Sequence, residues 1–291
     1  MSAPHAAIGL MGGSGLYALS GLAHAREVSL STPFGAPSDA FVVGTVGDKP
    51  VAFLARHGRN HRILPGEINY RANIYAMKVL GVERILSASA VGSMKEAIHP
   101  RDVVVPDQFI DRTQRRIATF FGEGIAAHVG LADPICPETR RVLFDAATAA
   151  GATARDGGTY LCMEGPAFST RAESRLYRSW GVDVIGMTNL TEAKLAREAE
   201  ICYATLALVT DYDCWHEEEA DVSVTGVLEN LRANATLAAA ALRAAVLALP
   251  RSRTACGCGD ALRHAMITPA NAITPQARVR LGVLLDKYLP Q

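Results

Sequence analysis

Two carboxylates stand directly after an apolar segment near the end of the main sequence pattern. Residues 203–210 read YATLALVT, and Asp211 and Asp213 follow at once. Because an ionised carboxylate is costly to bury, both are expected at the end of a strand rather than inside it. A carboxyl group in that position can hold or donate a proton. The segment predicts an acid–base site, although two aspartates can also simply cap the segment that follows.

Cationic side chains follow a second apolar segment. VAFLA at 51–55 leads into Arg56 and His57, with Arg59 and His61 close behind. Two arginines and two histidines at one strand end favour an anion that compensates their charge. A phosphate site and a solvated basic loop are about equally consistent with this segment alone.

Three further apolar segments end in glycines or hydroxyl-bearing residues. AAIGLM leads into GGSG at 12–15, where bare amides can approach an anion closely. The spacing differs from a dinucleotide fingerprint, which needs a third glycine and an acidic residue about 20 positions on. These ends contribute the candidates Ser14, Ser89, Ala90, Val91, Gly92, Met187 and Thr188.

The strand ends together supply two kinds of chemistry. Ligands of open α/β sheets bind at the carboxyl ends of strands, so these groups are expected to converge. Phosphate needs cationic and hydroxyl donors, whereas a departing purine needs a group that stabilises negative charge at N7. The set suits attack of phosphate on a nucleoside.

The elements that position these groups follow a repeated pattern of amphipathic stretch, glycine and apolar run. It occurs around Gly81 and Gly181 and more weakly around Gly151, and each predicts a helix that ends at a glycine before a strand. Thr170 and Glu173 form a capping-box pattern for one of these helices. Apolar runs without alternation are typical of strands covered on both faces. The sequence predicts a single α/β domain with a central mixed, largely parallel sheet flanked by helices on both faces.

The end of the chain is expected to form an extension. Val224, Val227, Leu228 and Leu231 begin one long helix that closes the main domain near residue 249. Residues 251–274 are rich in Gly and Pro, and a final amphipathic helix is expected over roughly 275–289. The predicted division is a domain at 1–250 and a loop and helix at 251–291 that packs on the same domain.

Charge and length exclude several classes of protein. The 291 residues contain 29 Lys and Arg against 29 Asp and Glu, so no overall positive field favours nucleic acid or a membrane surface. No apolar run is expected to reach the roughly 20 residues that span a bilayer. The start of the chain has no basic region of a secretory signal. We expect a soluble cytoplasmic protein.

The six cysteines are too sparse for a disulfide scaffold. Cys136, Cys162, Cys202 and Cys214 stand alone in the sequence, and burial as small apolar residues is expected for each. Cys256 and Cys258 are separated by a single glycine. Such a pair can bind a metal, exchange disulfides or pack as an inert element, and the last of these is favoured because only His264 lies nearby in sequence.

Several segments resemble a known family, the trimeric purine nucleoside phosphorylases in their 5′-methylthioadenosine phosphorylase branch. The resemblance covers roughly 8–249 and is carried by GGSGL, TPFGAPSD, LARHGRNH, DQFIDRT, MEGPAFSTRAES, IGMT and TDYDCW. It implies the conversion of S-methyl-5′-thioadenosine and phosphate to adenine and 5-methylthioribose 1-phosphate. It also implies that the reaction uses no metal and no organic cofactor.

The resemblance assigns roles to individual residues. It implies phosphate contacts at Ser14, Arg56, His57, Ser89 and Thr188, and nucleoside contacts at Ala90, Val91, Gly92, Phe168 and Met187. It places Asp211 against purine N7 and Asp213 near the 6-amino group. Val224, Val227 and Leu228 would line a methylthio pocket, completed by His128 of a neighbouring subunit, which implies a homotrimer or a hexamer of two trimers. Without the resemblance, Met187, Phe168 and the three helix residues would be expected in the core.

Two other functions remain open. A phosphorylase for 6-oxopurine nucleosides or methylthioinosine would keep the chemistry and change the base, and the acceptors of TDYD favour an exocyclic amine instead. A Rossmann-like nucleotide-binding protein would show no turnover. The chain also departs from the family at Val91 and Gly186, where members often have Cys and Asn. The Cys-Gly-Cys element is similar to those of thermostable microbial members, in which the cysteines are oxidised.

Overall fold

Eleven strands form one mixed sheet in the computed structural model, which describes residues 5–13, 16, 21–217, 224–253 and 256–289, without the side chains of 224–228 and 232. The strands span Ile8–Gly12 (β1), Ala23–Val28 (β2), Phe41–Val46 (β3), Lys49–Ala55 (β4), Arg84–Ser93 (β5), Val103–Val105 (β6), Gln108–Arg112 (β7), Ala154–Asp156 (β8), Thr159–Met163 (β9), Val184–Gly186 (β10) and Cys202–Asp211 (β11).

The sheet is parallel where the site candidates lie. Its order is β2-β3-β4-β1-β5-β10-β9-β7, and β11 pairs with β5 and β6 while β6 pairs with β8. Strands β4, β1, β5 and β11 run parallel to their neighbours in this set, whereas β10 runs antiparallel to β5. The carboxyl ends of β4 and β11 therefore lie on one edge.

Six α-helices cover the sheet within the described residues. They span Tyr70–Val79 (α1), Pro137–Ala149 (α2), Arg171–Ser179 (α3), Asn189–Glu198 (α4), Val224–Ala248 (α5) and Pro275–Leu285 (α6). Helices α2 and α5 pack on each other and on β11, while α1 and α4 form another pair that packs on β11 through α4. The predicted α/β architecture with a mixed sheet flanked by helices is confirmed.

The local sequence signals also hold. Gly81, Gly151 and Gly181 have φ values of 82°, 92° and 81° after α1, α2 and α3, the left-handed conformation that favours glycine. Thr170 and Glu173 form the complete capping box at the start of α3. The last helix ends at Leu285, a few residues before the predicted end.

The described part of the C-terminal extension shares the main hydrophobic core. Leu262, Ile273, Leu281 and Leu285 are at most 5% exposed and belong to the same cluster as the sheet residues. This packing agrees with the expected placement of the extension. The division of the chain at residue 250 stays a prediction.

One helical segment corrects the expectation that no run is long enough to cross a membrane. Glu229–Ala248 has the length and composition to do so. However, Leu231, Leu242 and Val246 are buried, and Leu242 and Val246 belong to the main core cluster. This is the packing of a core helix in an α/β protein, and core helices pass the same test of length and composition.

The expectation that Cys136 and Cys202 stand alone is wrong. Together with Cys256 and Cys258 they form a cluster, the thiol cluster, whose Sγ atoms all lie within 4.8 Å of one another. Cys162 and Cys214 are buried outside the cluster. Sequence spacing could not show the cluster because its members come from three distant segments.

Candidate active site

A cavity of about 430 Å³ opens at the carboxyl ends of β4 and β11 and along the second half of β5. It brings together most of the predicted site residues: Arg56, His57, Ser89, Ala90, Val91, Gly92, Phe168, Met187, Thr188, Asp211 and Asp213. Gly13 and Leu231 also line it. Residues from distant strands thus meet around one space of nucleoside size.

Five predicted residues are not placed in this cavity. Ser14 lies outside the described residues, although its neighbour Gly13 lines the cavity. Val224, Val227 and Leu228 belong to α5, but their side chains lie outside the described part of the chain. His128 is exposed and lines a separate depression with Lys194 and Glu198. Within one chain His128 does not reach the Asp211 cavity.

Arg56 is fully buried and paired with Glu192. Its Nε donates to Glu192 Oε1 in a short contact, and its Nη2 donates to Glu192 Oε2 at 3.1 Å. Its other contacts are from Nη2 to Ser87 Oγ at 2.5 Å and from Nη1 to the Ala88 carbonyl at 3.0 Å. Burial lowers the pKa of Arg56 and the Glu192 carboxylate raises it, with a net increase. The guanidinium stays charged and fixed in orientation.

Asn189 links this ion pair to Ser89. Its Nδ2 donates to Ser87 Oγ at 3.0 Å and to the Tyr203 hydroxyl at 2.6 Å, and Ser89 Oγ donates to its Oδ1 at 2.5 Å. The Tyr203 hydroxyl in turn donates to Glu192 Oε2 at 2.6 Å. This network lies at the start of α4, where Thr188 is the N-cap residue. A helix N-terminus with fixed donors is suited to an anion.

His57 is neutral near pH 7. Its ring stacks on His61 with centroids 4.2 Å apart, and its Nδ1 lies 2.8 Å from the Ile63 carbonyl. Burial and, next, the Arg56 charge lower the pKa of His57 to about 3. With Nδ1 donating to that carbonyl, Nε2 carries a lone pair that can accept a hydrogen bond.

The basic segment divides into two parts. Arg56, His57 and His61 line the cavity, whereas Arg59 is half-exposed and pairs with Glu27 at 2.7 Å and Asp39 at 3.3 Å. Arg59 thus fits the solvated basic loop, whereas the phosphate site at Arg56, His57 and His61 stays a prediction. The buried anion that compensates Arg56 is Glu192, and Arg59 belongs to a solvated surface.

Asp211 lies at the end of β11 with its carboxyl group largely buried. Thr210 Oγ1 donates to its Oδ2 at 2.7 Å and the Asp213 amide donates to its Oδ1 at 2.8 Å. Burial raises the pKa of Asp211 to about 6, against the effect of these two hydrogen bonds. Burial also raises the pKa of Asp213. Burial in this cavity thus shifts the pKa of both carboxyl groups upward, with Asp211 close enough to neutrality to exchange a proton.

The backbone around Asp211 is shaped for this position. The register between β11 and β5 shifts between Val209 and Asp211, opposite Gly92, which is the sign of a β-bulge. Bulges of this kind change the direction of a side chain next to an active site. A Cβ on Gly92 would stand 2.8 Å from Asp211 Oδ1. Only glycine at position 92 leaves room for the carboxyl group.

Phe168 and Met187 line the cavity rather than the core. Phe168 is 42% exposed, so the alternative that it is a core residue does not apply. Arg116 fixes the segment around Met187: its Nη1 donates to the Met187 carbonyl, and its Nη2 donates to the Glu164 carbonyl at 2.7 Å. Arg116 is a positioning residue for this wall.

The departure from the family at Gly186 has a structural counterpart. A Cβ at position 186 would stand 1.9 Å from the hydroxyl oxygen of Tyr160. Tyr160 is fully buried and fills the space that a side chain there would need. An asparagine at this position requires Tyr160 to move.

Three residues of the site escaped sequence analysis: Glu192, Asn189 and Arg116. Glu192 and Asn189 are completely buried although their residue types favour the surface. Their spacing of three residues puts both on one face of α4, among Leu190 and Ala193. The sequence of α4, NLTEAKLARE, is mostly polar, so nothing in it marks these two residues as buried.

Comparison with known proteins places the chain. A model of the family described as the phosphorylase superfamily matches residues 7–249. The chain belongs to this superfamily. The phosphorylase match ends where α5 ends, and it includes every strand of the sheet.

Relatives of this phosphorylase have one name in common. This chain is 56% identical over 283 residues to the S-methyl-5′-thioadenosine phosphorylase of Geobacter sulfurreducens, and the match covers 97% of this chain and 99% of the relative. It is likewise 56% identical to the protein of that name from Koribacter versatilis, covering 97% of both. The resemblance indicated by the motifs is confirmed.

Solved structures agree with the fold. A methylthioadenosine phosphorylase from an antarctic soil metagenomic library superposes with a TM-score of 0.92 at 49% identity, covering 97% of this chain and 99% of that one. The methylthioadenosine phosphorylase of Schistosoma mansoni in complex with adenine gives a TM-score of 0.79 at 38% identity, covering 83% and 91%.

Proposed function

We propose that this phosphorylase cleaves S-methyl-5′-thioadenosine with phosphate to give adenine and 5-methylthioribose 1-phosphate. The observation that carries the proposal is a single 430 Å³ cavity lined by Asp211, whose pKa is raised to about 6, and by Arg56, His57 and Thr188. Relatives above 50% identity have the matching name. The role in purine and methionine salvage follows from the two products.

The reaction exchanges one bond at the ribose for another. A phosphate oxygen forms a bond to C1′ while the C1′–N9 bond breaks and its electron pair moves onto the purine. Asp211 holds or donates a proton at N7 of the leaving base, and the proton released by hydrogen phosphate restores the balance. Because negative charge develops on the base only as the bond breaks, this contact stabilises the transition state most.

The base is selected by the second carboxyl group. Asp213 is 5% exposed and takes an unusual φ of 56°, which turns it into the cavity beside Asp211. A carboxylate accepts a hydrogen bond from a 6-amino group and has no donor for a 6-oxo group. Adenine nucleosides are therefore the favoured substrate class over 6-oxopurine nucleosides.

Phosphate binds near the start of α4. Thr188 and Ser89 supply hydroxyls, Ser14 is assigned to the same role, and the helix N-terminus supplies partial positive charge. Arg56 contributes from a fixed position, because its Nε and Nη2 donate to Glu192. His57 enters neutral, and its Nε2 can accept a hydrogen bond from the monoanion of phosphate.

The active form in this proposal is a homotrimer, or a hexamer of two trimers, in the cytoplasm, with phosphate as co-substrate and without a cofactor in the chemical step. His128 supports this because it is exposed and lies outside the cavity of its own chain. Its amide donates to the Ala265 carbonyl at 2.8 Å, so the C-terminal extension presents it outward. A neighbouring subunit could thus receive it at the 5′ pocket beside α5.

His128→Ala is expected to raise the KM for methylthioadenosine on the order of 10-fold while leaving the KM for phosphate nearly unchanged. The substitution removes an apolar contact to the 5′ substituent. The binding free energy lost is that of one or two buried groups. Steady-state kinetics with each substrate varied would measure it. His24→Asn, at an exposed edge with φ of 53°, is the matched control. An equal change in both constants, or fully active monomers in sedimentation, would contradict the shared pocket.

The proposed reaction itself is tested by a panel of nucleosides. Methylthioadenosine, adenosine, methylthioinosine and inosine are incubated with and without phosphate, and free base is quantified. We expect phosphate-dependent release of adenine from methylthioadenosine at the highest kcat/KM. Preference for the 6-oxo substrates would establish the alternative base class, and no release from any substrate would establish a binding protein without turnover.

A further inference from the structure

The thiol cluster is the strongest unexplained group of side chains in the described part of the chain. Cys136, Cys202 and Cys258 are buried and Cys256 is half-buried. They form a cluster of their own beside the main hydrophobic core. It lies at the start of β11, whereas Asp211 ends that strand, about 30 Å away at the usual rise per residue. The cluster therefore has no part in the proposed chemical step.

We infer that Cys136, Cys202, Cys256 and Cys258 form a tetrathiolate site for a structural metal ion of the zinc class. Four ligands of this kind are the number and type that structural zinc sites use. The site is distinct from the cavity, and its ion would hold the C-terminal extension to the sheet.

The geometry of the four sulfurs fits an ion at their centre. Zn–S bonds of about 2.3 Å in a tetrahedron place the sulfurs about 3.8 Å apart. The Sγ atoms of the cluster lie within 4.8 Å of one another, and those of Cys202 and Cys256 are 3.4 Å apart. Four sulfurs this close together reach bonding distance around one ion after a small adjustment.

Three separate elements deliver the ligands. Cys136 is the N-cap residue of α2, where the helix dipole favours a thiolate. Cys202 begins β11, and its amide is held by the Glu83 carbonyl at 2.9 Å. Cys256 is the N-cap residue and Cys258 the second residue of a short 3₁₀ helix, Gly257–Asp260, in the extension. Convergence of three elements on one buried point is typical of a structural metal site.

One guanidinium lies near the cluster, that of Arg253, which also pairs with Glu83 at 3.7 Å. A zinc ion with four thiolates carries a net charge of −2, which needs compensation when buried. Arg253 Nη1 donates to the Glu200 carbonyl at 2.7 Å, two residues before Cys202. Its guanidinium carbon lies 2.9 Å from where a Cβ on Gly259 would stand. The charge therefore sits between the two chain segments that carry three of the cysteines.

The extension that the ion would fix also supports His128. Ala127 forms an isolated antiparallel β-bridge with Met266, and the Ile267 amide donates to the Ala126 carbonyl at 2.9 Å. A metal site at 256–258 would therefore hold the segment that orients His128. Its loss is expected to weaken the fold and the 5′ pocket before it affects phosphate binding.

Metal content of the full chain tests the inference. The protein is purified from cells grown with added Zn²⁺, desalted, and assayed for zinc by mass spectrometry. We expect about one zinc per chain in the wild type and less than about 0.1 in the Cys256→Ala/Cys258→Ala double variant. Cys162→Ala, which removes a buried thiol outside the cluster, is the matched control and should keep its zinc.

Three further measurements on the wild type keep the result decisive if the double variant fails to fold. Reconstitution of the wild type with Co²⁺ should give the intense visible bands of a tetrahedral cobalt thiolate. A strong chelator should remove the metal and lower the melting temperature. Thiol counting in denaturant with chelator and no reductant should find six free thiols.

Three outcomes would overturn the inference. Two disulfides among the four cysteines would identify an oxidised staple instead. Six free thiols with no metal, even after incubation with Zn²⁺ or Co²⁺, would leave an inert apolar cluster. Zinc that remains at one per chain in the double variant would place the ion elsewhere. None of these results bears on phosphorolysis, which the nucleoside panel tests separately.

Discussion

Arg56→Ala is expected to destabilise the fold by about 3–5 kcal/mol, because it leaves the Glu192 carboxylate buried without its partner. Both side chains are 0% exposed, and the pair is closed by two nitrogens of the guanidinium. Ser87 and Asn189 cannot neutralise a full charge. Chemical denaturation of the purified variant measures the loss, and a stability equal to the wild type would contradict the account of this pair.

A double variant separates stability from phosphate binding. In Arg56→Met/Glu192→Gln no buried charge is left alone, so most of the stability should return. The donors that face phosphate remain absent, and the KM for phosphate should rise about 10- to 150-fold, the scale of about 1.5–3 kcal/mol for a charge-assisted hydrogen bond. Arg56→Lys should recover less, since an ammonium cannot reproduce the fork. An unchanged phosphate KM in the stable double variant would remove Arg56 from the site.

Much of the fold is readable in the sequence because its signals are local. β5 and β11 appear as runs of small and apolar residues without alternation, since helices cover both of their faces. Gly81 and Gly181 mark the ends of helices because the left-handed turn there excludes most other residues. The capping box at Thr170 needs only four residues. Each of these features is fixed by neighbours in the chain.

The partners of the site residues could not be read in the same way. Arg56 and Glu192 are 136 residues apart in sequence, and no local pattern connects them. Cys136 and Cys202 appear isolated until the sheet and the extension bring them to Cys256 and Cys258. Contacts of this kind depend on how the sheet is ordered, which periodicity does not encode.

The electrostatic state of the site also emerges only in three dimensions. A histidine beside an arginine in the sequence suggests two cations for phosphate. In the structure burial and Arg56 lower the pKa of His57 to about 3, so the site carries fewer charges than its composition indicates. Glu192 reduces the field of Arg56 further. The proposed phosphate site therefore relies on directed donors more than on net charge.

Asp211→Asn is expected to lower kcat/KM for methylthioadenosine by about 10²–10⁴-fold, the usual scale for loss of a general acid. The amide keeps a donor but has no acid proton to share with N7, and it can pair with a 6-oxo group. The relative preference should shift towards inosine. In the wild type, the pKa of about 6 for Asp211 predicts that kcat/KM falls as pH rises through this value. The variant should lack this limb of the pH profile.

The pH dependence of folding stability distinguishes a general-acid role of Asp211 from a role as a simple cap. The folded protein raises the pKa of Asp211 from 3.8 to about 6, so the group favours folding below pH 3.8 and that contribution is lost as pH rises through 6. Asp211→Asn carries no buried charge at pH 8, and its melting temperature relative to the wild type should therefore increase between pH 4 and pH 8. If Asp211 only caps the following turn, Asp211→Asn should instead lose about 1 kcal/mol of folding stability at neutral pH.

Thr210→Val is the control, because it removes one hydrogen bond to the Asp211 carboxylate and leaves the titrating group in place. A folded Asp211→Asn protein with full activity, unaltered base preference and reduced stability at pH 8 would assign Asp211 to the structure of the turn and not to the leaving group.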